Sequence, residues 1–164
     1  MRIGLMLLLL SSLAFAKPVN VKLHVTNIQM SYEIDSEVWK WEREFKPTKD
    51  SFQASALYRH DENSEKSIRI GISKVALFPD EKKPRALRNQ EEIPKLFADS
   101  GGIGNCSFGD LVGYVQQGKD DSGEYIHYIM MEPAFGGIVF LVARNIPMED
   151  LEEILQTFKT KVLK

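Results

Sequence analysis

Apolar residues recur at every second position through the first part of the chain, and that period dictates strands. Val19, Val21, Leu23 and Val25 alternate with Lys22 and His24, and Ile28, Met30, Tyr32 and Ile34 repeat the pattern. An extended segment with this alternation has one apolar face and one wetted face. Phe52, Ala54, Ala56 and Tyr58 follow in the same phase, then Ile68, Ile70 and Ile72, with Asp61-Glu62-Asn63-Ser64 between them. Those four residues are turn formers, so residues 52–77 read as a hairpin. Residues 36–45 fit two patterns. Trp39, Trp41 and Phe45 share one face of a strand, whereas Val38, Trp41 and Phe45 fit a helical stripe.

A charged loop with Pro79 and Pro84 leads to a short helix near residues 90–99, with Asn89 as its cap and Ile93, Leu96 and Phe97 as its apolar stripe. Pro94 moves its true start towards Ile93, and Ser100-Gly101-Gly102 stops it. Residues 108–116, 125–131 and 138–143 then read as three strands. The last two are apolar on both faces and belong inside a sheet. Turns at 118–123 and 133–137 are short enough to make the three an antiparallel meander. From Pro147 onward the pattern turns helical. Acids at Glu149, Asp150, Glu152 and Glu153 and bases at Lys159, Lys161 and Lys164 suit the two ends of a helix dipole. Leu151, Ile154, Leu155, Phe158 and Val162 supply its packing face.

The first sixteen residues stand apart. Arg2, the apolar run at 5–10 and the tripeptide Ala14-Phe15-Ala16 have the three parts of a secretory signal, with the cut expected between Ala16 and Lys17. The run is too short to span a bilayer and ends at Lys17, Pro18 and Asn20. Residues 17–164 are thus expected as one soluble exported domain, periplasmic or secreted, with no transmembrane segment. Lys and Arg number 21 against 23 Asp and Glu. That balance provides no general basic face for nucleic acid. Cys106 is the one cysteine, so no internal disulfide can staple the fold and no cysteine-based metal framework is available.

These elements define an α+β fold: an antiparallel sheet of about six strands flanked by helices and closed by an amphipathic C-terminal helix. The order resembles the Mog1/PsbP-like fold of small exported bacterial proteins of the DcrB kind. The residues that carry the likeness are Tyr32-Glu33-Ile34-Asp35 with Trp39, the strand Gly137-Ile138-Val139-Phe140, and the closing Leu151-Glu152-Glu153-Ile154-Leu155-Gln156-Thr157-Phe158-Lys159. The resemblance implies an α/β/α sandwich and a binding or accessory role, and it brings no catalytic residues with it.

Several groups qualify as sites. Trp39 and Trp41, amid Lys40, Glu42, Arg43 and Glu44, form an aromatic segment with a wet side, suited either to a core or to a ligand. Lys82, Lys83, Arg85 and Arg88 make a basic run for an anionic partner, or simply a solvated loop. Cys106 is a possible reactive thiol, although a nucleophile needs a base beside it and His24, His60 and His127 occur in no recognisable setting; a buried apolar cysteine is the alternative. His127, Met130 and Met131 with His24 and Met30 have the ligand types of a copper site but not its tight spacing. The glycines at 101, 102 and 104 follow a helix and precede a strand, the wrong order for a phosphate loop. Acidic pairs at Asp120-Asp121 and Glu152-Glu153 are accounted for by a turn and by the helix dipole. The function expected is a non-enzymatic binding or accessory protein of the cell envelope, needing no cofactor, whose partner is an envelope protein or a small ligand. The alternatives are an exported enzyme or redox protein using Cys106, or a metal-handling protein.

Overall fold

The computed structural model describes residues 18–48, 52–97, 102–132 and 136–163. The export signal with its cut site, Ser100-Gly101, residues 133–135 of the expected turn, and Lys164 lie outside them. In chain order come β1 (Pro18–Val25), β2 (Ile28–Asp35), β3 (Trp39–Phe45), β4 (Gln53–His60), β5 (Ser67–Ser73), a 3₁₀ helix (Gln90–Leu96), β6 (Gly102–Phe108), β7 (Leu111–Asp120), β8 (Gly123–Glu132), β9 (Gly137–Arg144), α1 (Glu149–Gln156) and β10 (Lys159–Val162). All strand pairs are antiparallel. They form a three-stranded sheet, β1-β2-β10, and a seven-stranded sheet, β3-β4-β5-β9-β8-β7-β6.

The α/β/α sandwich is therefore not what this chain forms. Of the described residues 58% lie in strands and 11% are helical. What covers the large sheet on one side is the small sheet, with α1 beside it. The alternating residues explain this. Leu23, Val25, Ile28, Met30, Tyr32 and Ile34 of the small sheet meet Ala54, Ala56, Tyr58, Ile68, Ile70, Ile72, Tyr128, Met130, Val139 and Leu141 of the large one in a single buried core. Two half-apolar sheets satisfy each other face to face, which leaves no need for a helical layer. Tyr32 and Tyr58 put their hydroxyls together across this core, 2.8 Å apart, so each buried polar atom is satisfied.

The opposite face of the large sheet is covered by the connection from Ala76 to Phe97. Its Ala76, Phe78, Leu87 and Ile93 pack with Tyr114, Ile129, Met131 and Ile138. Apolar side chains on both faces of β8 and β9 follow from this, since those strands lie inside the sheet with a cover on each side.

The expected C-terminal helix is cut short. α1 ends at Gln156, and Lys159–Val162 become β10, paired to β2 from Lys159 opposite Ser31 to Val162 opposite Ile28. Phe158 still enters the core, while Val162 is 48% exposed. The physical reason is the free side of β2. Its backbone groups need partners that a continued helix could not supply. The Thr157 hydroxyl accepts the Glu33 N–H at 2.9 Å and donates to the Ile154 carbonyl at 2.7 Å, ending the helix where the strand pairing takes over. The Thr160 hydroxyl then donates to the Glu132 carboxylate, tying β10 to β8. An eight-residue helix is unstable alone. Burial of Leu151, Ile154 and Leu155 holds it, at roughly 1.5–3 kcal/mol per side chain as an upper bound.

Residues 39–45 resolve as strand, with one change of face. Trp39 pairs with His60 and Trp41 with Tyr58, but Arg43 pairs with Leu57 and Phe45 with Ser55 across a bulge. The extra residue moves Phe45 to the far side of the sheet, where Arg43 and Arg69 lie over its ring at 4.9 and 4.4 Å. Trp39, Trp41 and Phe45 consequently do not share a face.

Candidate functional site

A cleft of about 570 Å³ opens where the end of β2, the start of β3 and the first turns of α1 converge. Ile34, Trp39, Ile146 and Ile154 form its floor and are buried. The Trp39 ring stands edge-on to His60, with centroids 5.2 Å apart at 86°. Glu33 and Asp35 border the cleft from β2, and Glu149, Asp150 and Glu153 border it from α1. Local structure places each of them. Glu33 and Asp35 fall in the outward phase of β2, opposite to Tyr32 and Ile34. Glu149 and Glu153 are one helical turn apart and Asp150 is next to the first. Thr157 then fastens α1 to the Glu33 backbone, which brings the two acidic sets to one opening.

Among the described residues none of these five carboxylates takes part in an ion pair. Asp35 is engaged locally, accepting the Glu37 N–H at 2.8 Å. Lys66 and His60 also line the cleft. In a chain with nearly balanced charge this is a strong concentration of one sign. Walls of low polarisability focus such a field towards the opening.

Of the residues singled out from the sequence, Trp39 belongs to this cleft and is only 8% exposed. Trp41 is 63% exposed and is not part of its lining. The basic run lies elsewhere, on the connection over the other face of the large sheet. Arg85 is not available to a partner. Its guanidinium bonds both oxygens of Glu92 at 2.9 and 3.0 Å and both oxygens of Glu81 at 2.9 and 3.0 Å, and it lies 4.0 Å over the Phe78 ring. This is a fastening for residues 76–97. Lys82, Lys83 and Arg88 remain exposed around it.

The fastening has a pH dependence of known sign. Arg85, and then the Arg88 N–H, hold the Glu92 carboxyl at about 2, below its ordinary 4.5. A depressed carboxylate stabilises the folded state fully above the ordinary value and loses that contribution as pH falls towards 2. Protection of the amides of residues 76–97, taken relative to the intrinsic exchange rate at each pH, is therefore expected to fall as pH drops from 4.5 to 2 in the unsubstituted protein. Glu92→Gln should raise exchange there at neutral pH and remove that pH dependence, with the sheets unchanged. Equal exchange in both proteins would refute the fastening.

Cys106 sits half-buried on β6, and desolvation pushes its thiol up to about 11. At neutral pH it is protonated, the wrong state for a nucleophile. Its pocket is lined by Gln90, Asn105, Ser107, Val112, Gly113 and Tyr114, with no histidine among them. His127 is pressed down by burial and lies against Tyr125, ring centroids 4.8 Å apart. Met30 and Met130 are buried in the inter-sheet core, Met131 packs on the other face of the large sheet, and His24 is exposed on β1. Among the described residues no group of three or more His, Cys, Asp or Glu is placed to hold a metal ion.

The acids of the cleft escaped sequence reading for a simple reason. Glu149, Asp150 and Glu153 have a sufficient local explanation in the helix dipole. That Glu33 and Asp35 join them depends on a contact between residues more than a hundred positions apart. The one available signal was the run of four acids at 149–153, of which Glu153 lies beyond the first turn.

No protein family, no curated protein and no solved structure matches this chain. Among the described residues no helix is long and apolar enough to cross a membrane.

Proposed function

We propose that this is an exported binding protein of the cell envelope, and that it takes a ligand bearing amine or guanidinium groups on an apolar stem. The observation that carries the reading is the cleft itself: five carboxylates without ion-pair partners around a floor that contains Trp39. A cationic head meets the carboxylates there while its methylene stem lies against indole and isoleucine, the arrangement by which long basic side chains bury their stems. Export rests on Arg2, the apolar run at 5–10 and Ala14-Phe15-Ala16. N-terminal sequencing of the protein recovered after secretion is expected to begin at Lys17; a retained leader would refute it.

The chain contains two tryptophans. In a Trp41→Phe background the emission of Trp39 reports on the cleft alone. Titration with tri-arginine is expected to shift that emission saturably and to weaken with added salt, and tri-glutamate is expected to do nothing. Combining Glu149→Gln, Asp150→Asn and Glu153→Gln should weaken tri-arginine about tenfold, at roughly 0.5 kcal/mol per exposed contact. Unchanged affinity after all three would remove the cleft from consideration.

A further inference from the structure

We propose that the protein pairs with a second copy of itself through β6, joining the two seven-stranded sheets into one. The two sheets present four edges, β1, β10, β3 and β6. An open edge invites further strands, and stable proteins guard it with charge, proline, shortness or a bulge. β1 begins at Pro18 and exposes Lys22 and His24. β10 is four residues long with Lys159 and Lys161 exposed. β3 carries Lys40, Glu42, Arg43 and Glu44 and is bulged. β6 has none of these devices. Gly102-Ile103-Gly104-Asn105-Cys106-Ser107-Phe108 holds no charge and no proline, and its register against β7 is unbroken over all seven residues. Ile103, and Val112 opposite Ser107 on β7, are 46% and 41% exposed.

Only another strand matches the alternating N–H and C=O groups of such an edge. A second β6 suits it best, because an uncharged strand meets its own copy without repulsion. The sequence is also self-complementary. Antiparallel pairing about a two-fold axis at Asn105 sets Phe108 of each copy opposite Gly102 of the other, and Cys106 opposite Gly104. Side chains thus fall against glycines on one face, where an aromatic ring across from glycine shields the bare backbone. On the other face Ile103 meets Ser107. A two-fold contact of this kind closes, so it removes the edge rather than propagating a fibre.

Asn105 is exposed, so a charge there leaves each single copy intact. The secreted protein is expected to sediment as a dimer as its concentration rises from micromolar to millimolar. Asn105→Lys and Asn105→Glu should each sediment as monomers where the unsubstituted chain is dimeric, with unchanged circular dichroism, because like charges then face each other across the axis. Mixing the two variants should restore a dimer of one copy of each. A monomeric unsubstituted protein at every concentration would overturn the proposal, as would dimers of either variant alone or a mixture that fails to pair. The cleft lies on other elements, so tri-arginine binding and dimerisation succeed or fail independently.

Discussion

Alanine at Gly113 is expected to cost the protein about 4 kcal/mol or more, at the far end of the range for single substitutions. Gly113 is buried in β7 opposite Met130 of β8. A methyl group there would overlap the Ile129 carbonyl oxygen and stand 2.6 Å from the Met130 Cα. Both obstacles are backbone, and the strand they belong to is hydrogen-bonded on its other side to β9. A side chain can rotate out of the way; a paired strand cannot, so the misfit spreads into the sheet. Gly104→Ala provides the contrast. It sits on exposed β6, and its added methyl would meet only Val115 Cγ1, at the ordinary contact distance of 3.5 Å. Its effect should stay within about 0.5 kcal/mol, as for surface substitutions generally. Urea unfolding of the two variants measures the difference. Comparable stability of both would show that β7 and β8 do not approach as described.

The two tryptophans should separate almost as widely, although they are two residues apart. Trp39→Ala is expected to cost about 3–5 kcal/mol, the usual price of deleting a large buried aromatic. Trp39 is 8% exposed, belongs to the inter-sheet core and packs edge-on against His60. Trp41→Ala should change stability by no more than about 0.5 kcal/mol, because its side chain is 63% exposed at the rim of the large sheet. Binding should follow the same division. Trp41→Ala keeps its affinity for tri-arginine, whereas Trp39→Phe, which preserves most of the packing, weakens it by removing the indole that the ligand stem lies on. Loss of binding in Trp41→Ala would move the site from the cleft to the open strand. The idea that both tryptophans belong to one aromatic platform fails on this difference in burial.

Much of the strand content was legible because period-two alternation is local. Leu23, Val25, Ile28, Met30, Tyr32, Ile34, Ala54, Ala56, Tyr58, Ile68, Ile70 and Ile72, assigned by alternation to an inner face, are buried there, whereas Val19 and Phe52, assigned with them, are 45% and 40% exposed and Val21 is half-buried. The acid-rich start of α1 was legible for the same reason, since its dipole acts within one turn. The short helix expected near residues 90–99 is present as a 3₁₀ helix with Ile93 fully buried, but it starts at Gln90 rather than nearer Ile93, ends at Leu96 and receives no capping bond from the Asn89 side chain. Failures came where a distant strand outcompeted a local preference. Residues 159–162 satisfy a helical pattern as far as their own neighbours are concerned, and only the unpaired side of β2 makes them a strand. The bulge in β3 is likewise a property of its pairing with β4, and it alone decides that Phe45 leaves the face shared by Trp39 and Trp41.

The sequence by itself determined that most of the chain is strand and which face of β2, β4 and β5 is apolar, but it left β3 open between strand and helix and did not give β6 or β10. It also determined that Cys106 stands alone and that the leader has the form of an export signal. These follow from interactions between residues a few positions apart and from composition. The tertiary structure alone decided how the strands divide between two sheets, what covers each face, that Arg85 is a fastening, and that Glu33 and Asp35 meet Glu149, Asp150 and Glu153 around Trp39. Those outcomes are set by contacts between residues separated by tens to more than a hundred positions. An apolar face must be covered, but the pattern that makes it apolar does not say whether a helix or a second sheet will cover it.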